Sequence, residues 1–265
     1  MMNELIIYDL EYTTWPGAIE RNWSKKNEIR EITWIAAILV DVDTLQELDS
    51  FDCIVKPTIN PVLSEYFVNL TGLSQERMER EGVSFLEGFR AFQRFVNIRP
   101  IVCHGRDIVA LLENFQLKNL EFRARRIDDD VPIALNLNKS DKWEMDEPIR
   151  IPNSIAIHAY GENMKMEEKN TYGVICEVDL EHPGQFISPN IFTSFNIKPW
   201  FNTNAPETIE RYAGELAAAF GKFTADGNIH EPLFDVRSIL YGAKHLINNC
   251  GVENIFRIFL NKGKR

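Results

Sequence analysis

Two carboxylates separated by one residue give the first chemical signal in the sequence. Asp9 and Glu11 lie at the end of a nearly continuous apolar run, residues 5–10, which has the length of a strand buried on both faces. Residues i and i+2 of a strand point to the same face. Buried acids are costly unless a cation neutralises them, and oxygen ligands on a rigid strand suit Mg²⁺ or Mn²⁺. The pair predicts a divalent-metal site; a strand end with both acids in solvent is the alternative.

Three further residues could complete such a site. Asp107 follows a short apolar strand at 101–103 and begins a helix, where an acid that only stabilises the helix dipole is the alternative. His230 and Asp235 are five residues apart and would not share a face of one helix. Pro232 favours the first helical turn, which leaves His230 in the preceding loop. A histidine there suits general-base chemistry, and a surface histidine beside a helical aspartate is the alternative.

The elements that would position these residues alternate between strands and helices. Apolar periodicity predicts strands at 5–10, 29–40, 51–55 and 101–103, and helices at 61–69, 84–97, 107–115, 206–220, 232–248 and 252–260. The short connection between the second and third strands predicts a hairpin, so the sheet is mixed. We therefore expect an α/β fold in a single domain over residues 1–265, with a β- and loop-rich insertion at about 138–190.

Composition excludes several classes of protein. The chain has 265 residues, 45% of them hydrophobic, so it can bury a large core and is not disordered over most of its length. Its apolar runs are too short to span a membrane, and its four cysteines form no C-x-x-C pair. The net charge of −10 argues against extended non-specific binding of nucleic acid but allows a local site. A cytoplasmic location, with no membrane contact, is the expectation from the N-terminal residues.

Taken together, these motifs resemble the DEDDh superfamily of 3′–5′ exonucleases, the RNase T/DnaQ-like enzymes. Residues 9–13 resemble the motif D-x-E-x-T, and residues 230–235 match H-x-x-L-x-D. Lys56-Pro57 followed by residues 63–73 resembles a segment of the Eri-type branch, which includes the histone-mRNA 3′ exonucleases. The resemblance covers residues 3–117 and 195–248. The second motif departs from the family, because Arg106 stands where an aromatic residue usually precedes the aspartate.

The resemblance implies an RNase H-like fold, a mixed central sheet flanked by helices, and two Mg²⁺ or Mn²⁺ ions. The implied metal ligands are Asp9, Glu11, Asp107 and Asp235, and the implied general base is His230. The implied substrate contacts are Leu10, Tyr12, Thr13, Thr71 and Gly72. The implied activity is 3′–5′ exonucleolytic hydrolysis of single-stranded nucleic acid, with RNA favoured, releasing nucleoside 5′-monophosphates.

Two other functions stay open at this stage. A hydrolase for short oligonucleotides or another small phosphodiester is favoured by the acidic charge, because a short substrate needs few phosphate contacts. A non-catalytic binding module is favoured only by the irregular second motif. The insertion could cover the active site, serve substrate choice or form a homo-oligomer contact. Trp15 and Trp23 could stack on a base or pack on the domain. The arginines at 123, 125 and 126 could contact phosphate, but a solvated helix face is the expectation.

Overall fold

The computed structural model describes residues 3–127, 173–182, 185–187, 189–221 and 223–263. Seven strands in this part of the chain form one sheet in the order β3-β2-β1-β4-β7-β6-β5. The strands are β1 Glu4–Tyr12, β2 Ile32–Asp41, β3 Gln46–Ile54, β4 Ile101–Cys103, β5 Phe122–Arg126, β6 Gly173–Val178 and β7 Asn190–Asn196. The helices are α1 Glu65–Thr71, α2 Gln75–Glu81, α3 Phe85–Val96, α4 Asp107–Leu117, α5 Lys198–Asn204, α6 Leu216–Ala219, α7 Pro232–Cys250 and α8 Ile255–Gly263.

Strand β1 lies inside the sheet, as its continuous apolar sequence predicts. It pairs antiparallel with β2 and parallel with β4, and seven of its nine residues are buried. Strands β2 and β3 pair antiparallel over their length, so the predicted hairpin is confirmed. The expected α/β fold with a mixed sheet flanked by helices is also confirmed. No helix in the described part of the chain is long and apolar enough to cross a membrane.

Helices cover the two faces of the sheet with separate cores. Helices α3 and α4 pack on the face that carries Ile6, Tyr8 and Leu10 of β1. Helices α5, α7 and α8 pack on the opposite face, which carries Leu5 and Ile7. Side chains alternate along a strand, so the two carboxylates at positions 9 and 11 point to the α7 face. The sequence of β1 thus decides which helices can meet its acids.

Helices α3, α4 and α7 begin where the sequence predicts. Ser84 caps α3 in a reciprocal capping box with Glu87, which satisfies backbone donors at the first turn. Helix α4 begins at Asp107, and α7 begins at Pro232. The predictions of helices at 84–97, 107–115 and 232–248 are therefore confirmed.

The predicted helix at 206–220 is wrong. The segment instead contains two 3-10 turns, Pro206–Thr208 and Ala213–Glu215, followed by the single-turn helix α6. The Thr208 hydroxyl donates to the carbonyl of Ala205 at 2.7 Å, a local bond that competes with helix continuation. Gly214 packs directly against α7, and this tertiary contact holds the segment in its irregular path.

Two other predictions concern strands β5 and β6, at one end of the sheet. The arginines at 123, 125 and 126 belong to strand β5 rather than to a helix, because residues 122–126 pair antiparallel with β6. That prediction was wrong. Residues 173–178, which fall within the predicted insertion, form β6 of the same sheet. Residues 128–172, with most of that insertion, lie outside the described residues, and the division into domain and insertion stays a prediction.

Candidate active site

Strand β1 presents two buried carboxylates at its C-terminal end. Asp9 and Glu11 are 6% and 9% exposed, and each is flanked by β2 on one side through the Ala36 and Trp34 positions. Their backbones are fixed by the ladder, so the side chains project from a rigid strand toward α7. The two acids that the sequence pairs are thus brought together on one face.

Asp107 reaches the same end of the sheet from the neighbouring strand. Strand β4 runs parallel to β1, so the helix that follows it begins beside the C-terminal end of β1. Asp107 is the first residue of α4 and is 6% exposed. One of its carboxylate oxygens, Oδ2, is buried without a hydrogen-bond partner. A buried carboxylate oxygen that lacks a donor is what a cation ligand requires.

His230 and Asp235 approach from the opposite side, at the start of α7. Pro232 takes the first helical position, and His230 precedes it with a left-handed backbone, φ 71°. The His230 backbone N–H donates to Oδ1 of Asp235 at 3.2 Å, which ties the loop to the helix. Nδ1 of His230 lies 3.7 Å from Oε1 of Glu11. The predicted arrangement of histidine in the loop and aspartate in the first turn is what the structure shows.

Burial and mutual repulsion dominate the electrostatics of the four acids. Desolvation raises the pKa of Asp9 to about 7, and the charge of His230 acts against this rise. Desolvation, followed by the charges of Asp9 and Glu11, raises the pKa values of Asp107 and Asp235 well above the ordinary range. The pKa of Glu11 rises for the same reasons, burial first and Asp9 second. Four acids that resist ionisation together form a site that a divalent cation would stabilise.

The donor set fits a hard divalent cation. Glu11, His230 and Asp235 each offer a ligand atom, and these three atoms lie within 4.8 Å of one another. Asp9 and Asp107 add buried carboxylates beside this trio, as their mutual effects on pKa show. Carboxylate oxygens on rigid elements are ligands that Mg²⁺ and Mn²⁺ accept. The residues present therefore fit the metal that the sequence predicts.

The acid cluster predicts a pH-dependent stability of the metal-free protein. An acid whose folded-state pKa is raised binds its proton more tightly when folded, so it destabilises the fold as pH rises above the unfolded value. The Tm of the metal-free chain should fall as pH rises from about 4, near the ordinary pKa of an aspartate, to the pKa of about 7 at Asp9. Thermal melts across this range test the prediction.

Added Mn²⁺ should reverse that loss. A hundredfold excess over the dissociation constant would add about 2.7 kcal/mol, and the increase should be larger at high pH, where ligands need not lose protons first. Melts with Mn²⁺ and with a chelator provide the comparison. A Tm that is flat or rises with pH in the metal-free chain, and that Mn²⁺ does not change, would contradict the assignment of a metal site.

Gly214 is part of the site, and no signal in the sequence predicts this. Its backbone N–H donates to the carboxylate of Asp235, which acts to lower the pKa of Asp235 against the burial that raises it. A Cβ atom at this position would lie 2.2 Å from Oδ1 of Asp235. The turn that carries Gly214 also brings the ring of Tyr212 to 5.3 Å from that of His230. Only a residue without a side chain allows this approach.

We expect Gly214→Ala to displace Asp235 and lower metal-dependent turnover by about tenfold or more. Gly242→Ala is the matched control: Gly242 lies on α7 like Asp235, and a Cβ there would crowd the rings of Phe201 and Phe220 at 3.1 Å, away from the acids. Both variants should lose stability, on the order of 1–3 kcal/mol. Paired measurements of Tm and Mn²⁺ affinity separate the effects, and equal metal affinity in the two variants would refute the role of Gly214.

Three of the predicted substrate contacts have side chains that are buried or already hydrogen-bonded within the domain. Leu10 is buried on the α3 and α4 face. The Thr13 hydroxyl donates to the Ile29 carbonyl at 2.6 Å, and the Thr71 hydroxyl donates to the Phe67 carbonyl at 3.0 Å. Substrate contact through these side chains stays a prediction, and their hydroxyls serve local structure.

Two other predicted contacts lie at more open positions. Gly72 ends α1 with a left-handed backbone, φ 72°, and a Cβ there would meet nothing within 4 Å. Tyr12 packs edge-on against Trp23 at 5.5 Å between ring centres. Trp23 also donates from Nε1 to the Thr13 carbonyl at 3.1 Å, which supports packing on the domain rather than stacking on a base.

Part of this chain is similar in sequence to known exonucleases. Residues 6–131 match the family model RNase_T, described as an exonuclease. The human protein ERI1 exoribonuclease 2 is 34% identical over 83 residues, which span 31% of this chain and 11% of that protein. The predicted resemblance to exonucleases, including an Eri-type relative, is therefore confirmed as a sequence similarity over these residues.

Solved structures share the fold at low sequence identity. A full-length 3′-exonuclease matches with a TM-score of 0.57 and 16% identity, over 94% of this chain and 83% of that one. The nuclease domain of 3′hExo, a DEDDh family member bound to rAMP, matches with a TM-score of 0.54 and 16% identity, over 95% and 96% of the two chains. A third structure, which shows a 3′-exonuclease that recognises the 3′ end of a histone mRNA stem-loop, matches with a TM-score of 0.57. At this identity these structures support the fold.

Proposed function

We propose that this chain, which matches an exonuclease family over residues 6–131, hydrolyses single-stranded nucleic acid from the 3′ end. The observation that carries the proposal is the convergence of four buried carboxylates and one histidine from three separate parts of the sequence. A structural protein would gain nothing from this costly cluster. RNA is the favoured substrate, because the human relative is named an exoribonuclease. The products would be nucleoside 5′-monophosphates.

The acids would hold two Mg²⁺ or Mn²⁺ ions through Asp9, Glu11, Asp107 and Asp235. When bound, the ions would neutralise the scissile phosphate and favour ionisation of the attacking water. Bound cations would offset the negative charge of the acids, which favours the approach of a polyanionic substrate to a chain of net charge −10. The rigid β1 ladder and the two helix starts keep the ligands in place, so little reorganisation is needed during the reaction.

His230 would accept the proton of the attacking water. Burial lowers the pKa of His230 below its ordinary value, so the imidazole is neutral at pH 7 and retains a free lone pair. Its left-handed backbone and the bond from its N–H to Asp235 fix the ring beside the acids. Asp235 thereby has two tasks, since it holds the histidine loop and offers its carboxylate to a cation.

Labelled substrates test the activity directly. Single-stranded RNA and DNA of one sequence, labelled at the 5′ end, would be incubated with Mg²⁺, Mn²⁺ or a chelator. We expect a ladder that shortens from the 3′ end, requires the metal and forms faster on RNA. Absence of shortening on both strands, with a folded protein and either metal, would contradict the proposal.

The negative net charge of the chain favours one narrower function, hydrolysis of short oligonucleotides. A short substrate needs few phosphate contacts and is less repelled by a chain of charge −10. A series of RNA lengths distinguishes the two functions. If kcat/KM rises as the substrate shortens to a few nucleotides, the short-substrate function is supported; if it is constant or rises with length, it is not.

A further inference from the structure

A buried arginine connects the strand that carries the acids to the helix that begins with Asp107. Arg30 is 8% exposed, and its Nε donates to Oε2 of Glu113 on α4 at 2.8 Å. Its guanidinium lies 5.2 Å from the ring centre of Tyr12, the last residue of β1, and 4.9 Å from that of Trp23. The guanidinium of Arg30 therefore contacts both Tyr12, the residue next to Glu11, and the helix that begins with Asp107.

Asn114, the residue after Glu113 on α4, makes a second connection to the segment that contains Arg30. Asn114 is fully buried, and its Oδ1 accepts from the Ile32 backbone N–H at 2.9 Å. Its Nδ2 donates to the Arg30 carbonyl at 3.1 Å and to the Ala110 carbonyl at 2.8 Å. We call Arg30, Glu113 and Asn114 the α4 clasp. Helix α4 cannot rotate or slide along its axis without breaking one of these bonds.

Asp107 depends on this placement because its own contacts are few. Its Oδ2 has no hydrogen-bond partner, and Arg106, the N-cap residue before α4, makes no side-chain capping bond. The position of the carboxylate is therefore inherited from the helix as a rigid body. Glu113 lies six residues after Asp107 on α4, which is about 9 Å along the helix axis at 1.5 Å per residue. A small tilt of the helix about Glu113 would therefore displace Asp107.

The ion pair with Glu113 holds the buried guanidinium in place. Both Nε and Nη2 of Arg30 donate to Oε2 of Glu113. Loss of the Glu113 charge would leave Arg30 buried without its partner, which is a strong reason for the guanidinium to move.

We propose that the α4 clasp is a set of positioning residues that places Asp107 at the metal site. The proposal rests on the function proposed above, because it requires a site that binds divalent metal. None of the three residues needs to touch metal or substrate. They act by fixing the distance between the acids of β1 and the first residue of α4.

The experiment compares two ion pairs whose glutamate side chains have similar exposure. Glu113 pairs with Arg30 and has a side chain 25% exposed; Glu4 accepts from Arg99 at 2.7 Å and has a side chain 23% exposed. Glu4 is five residues before Asp9 on β1, about 17 Å from it along the strand. Glu113→Gln and Glu4→Gln therefore make the same chemical change near the site and away from it.

We expect Glu113→Gln to weaken Mn²⁺ affinity, measured by calorimetry on the metal-free whole chain, by about tenfold. It should lower kcat by a similar factor at unchanged KM for the oligonucleotide. Glu4→Gln should change neither quantity, although both variants shift Tm. Arg30→Lys, which keeps the charge and loses the planar fork, should resemble Glu113→Gln and replaces it if that variant does not fold.

The outcomes separate the clasp from the function. If Glu113→Gln and Arg30→Lys bind Mn²⁺ as tightly as Glu4→Gln does, the clasp has no positioning role and the inference is overturned. If the unsubstituted chain binds no Mn²⁺ and hydrolyses no substrate, the proposed function fails and the inference fails with it. Weaker binding in the clasp variants alone supports both.

Discussion

Asp9→Asn should lower metal-dependent hydrolysis by about three orders of magnitude, equal to about 4 kcal/mol of transition-state stabilisation. The substitution preserves shape and removes one charge from the centre of the acid cluster. Asp9 influences the pKa of Glu11, Asp107 and Asp235, so it lies within reach of all three other acids. No other residue of the proposed site affects so many partners, which is why its loss should have the largest effect on turnover.

The same variant should become more stable in the absence of metal. Burial raises the pKa of Asp9 to about 7, so an ionised Asp9 at pH 8 destabilises the metal-free fold. Removal of that charge should raise the Tm of the metal-free chain at pH 8. Asp49→Asn, the same change at an exposed position of β3, is the control and should alter neither activity nor Tm. Retained activity in Asp9→Asn would refute the assignment of the metal site.

His230→Asn should lower kcat by about 10²–10⁴-fold. Asparagine tolerates the left-handed backbone that His230 adopts, so the loop and its backbone bond to Asp235 should persist. The imidazole is replaced by a group that cannot accept a proton at neutral pH. Turnover under saturating substrate and metal is the measurement, with His245→Asn farther along α7 as the control.

The His230 variant also decides between two roles for this side chain. A ring nitrogen of His230 lies close enough to Glu11 and Asp235 to be a metal ligand rather than a base. A general base predicts that His230→Asn keeps the Mn²⁺ affinity of the unsubstituted chain. A ligand predicts a loss of affinity of about tenfold or more. Calorimetric titration with Mn²⁺ therefore tests the proton-transfer role independently of the rate.

Local sequence signals were sufficient for the parts of the site that lie within single elements. The alternation along β1 predicts that Asp9 and Glu11 share a face, and the apolar run predicts that this strand is buried. Pro232 predicts that His230 lies in a loop and Asp235 in a helix. These inferences succeed because each depends on residues within about one turn or one strand.

Tertiary contacts account for what the sequence could not reveal. The segment 206–220 has helical periodicity, yet the approach of Gly214 to Asp235 imposes turns instead. The pairing of Arg30 with Glu113 joins residues 83 positions apart. A lone glycine and a lone buried arginine carry no local signature of such contacts. The only available signal is the presence of Arg30 in the segment Ile-Arg-Glu-Ile, residues 29–32, at the entry to a strand.

We propose that the acids from β1, α4 and α7 form one site for two divalent ions. Crystals of the whole chain soaked in Mn²⁺, with anomalous scattering recorded, test it most directly. We predict two anomalous peaks at the site, together ligated by Asp9, Glu11, Asp107 and Asp235, at roughly 3.5–4 Å from each other. Mn²⁺ peaks that lie elsewhere, or an acid cluster that stays free of Mn²⁺ at saturating concentration, would contradict the account.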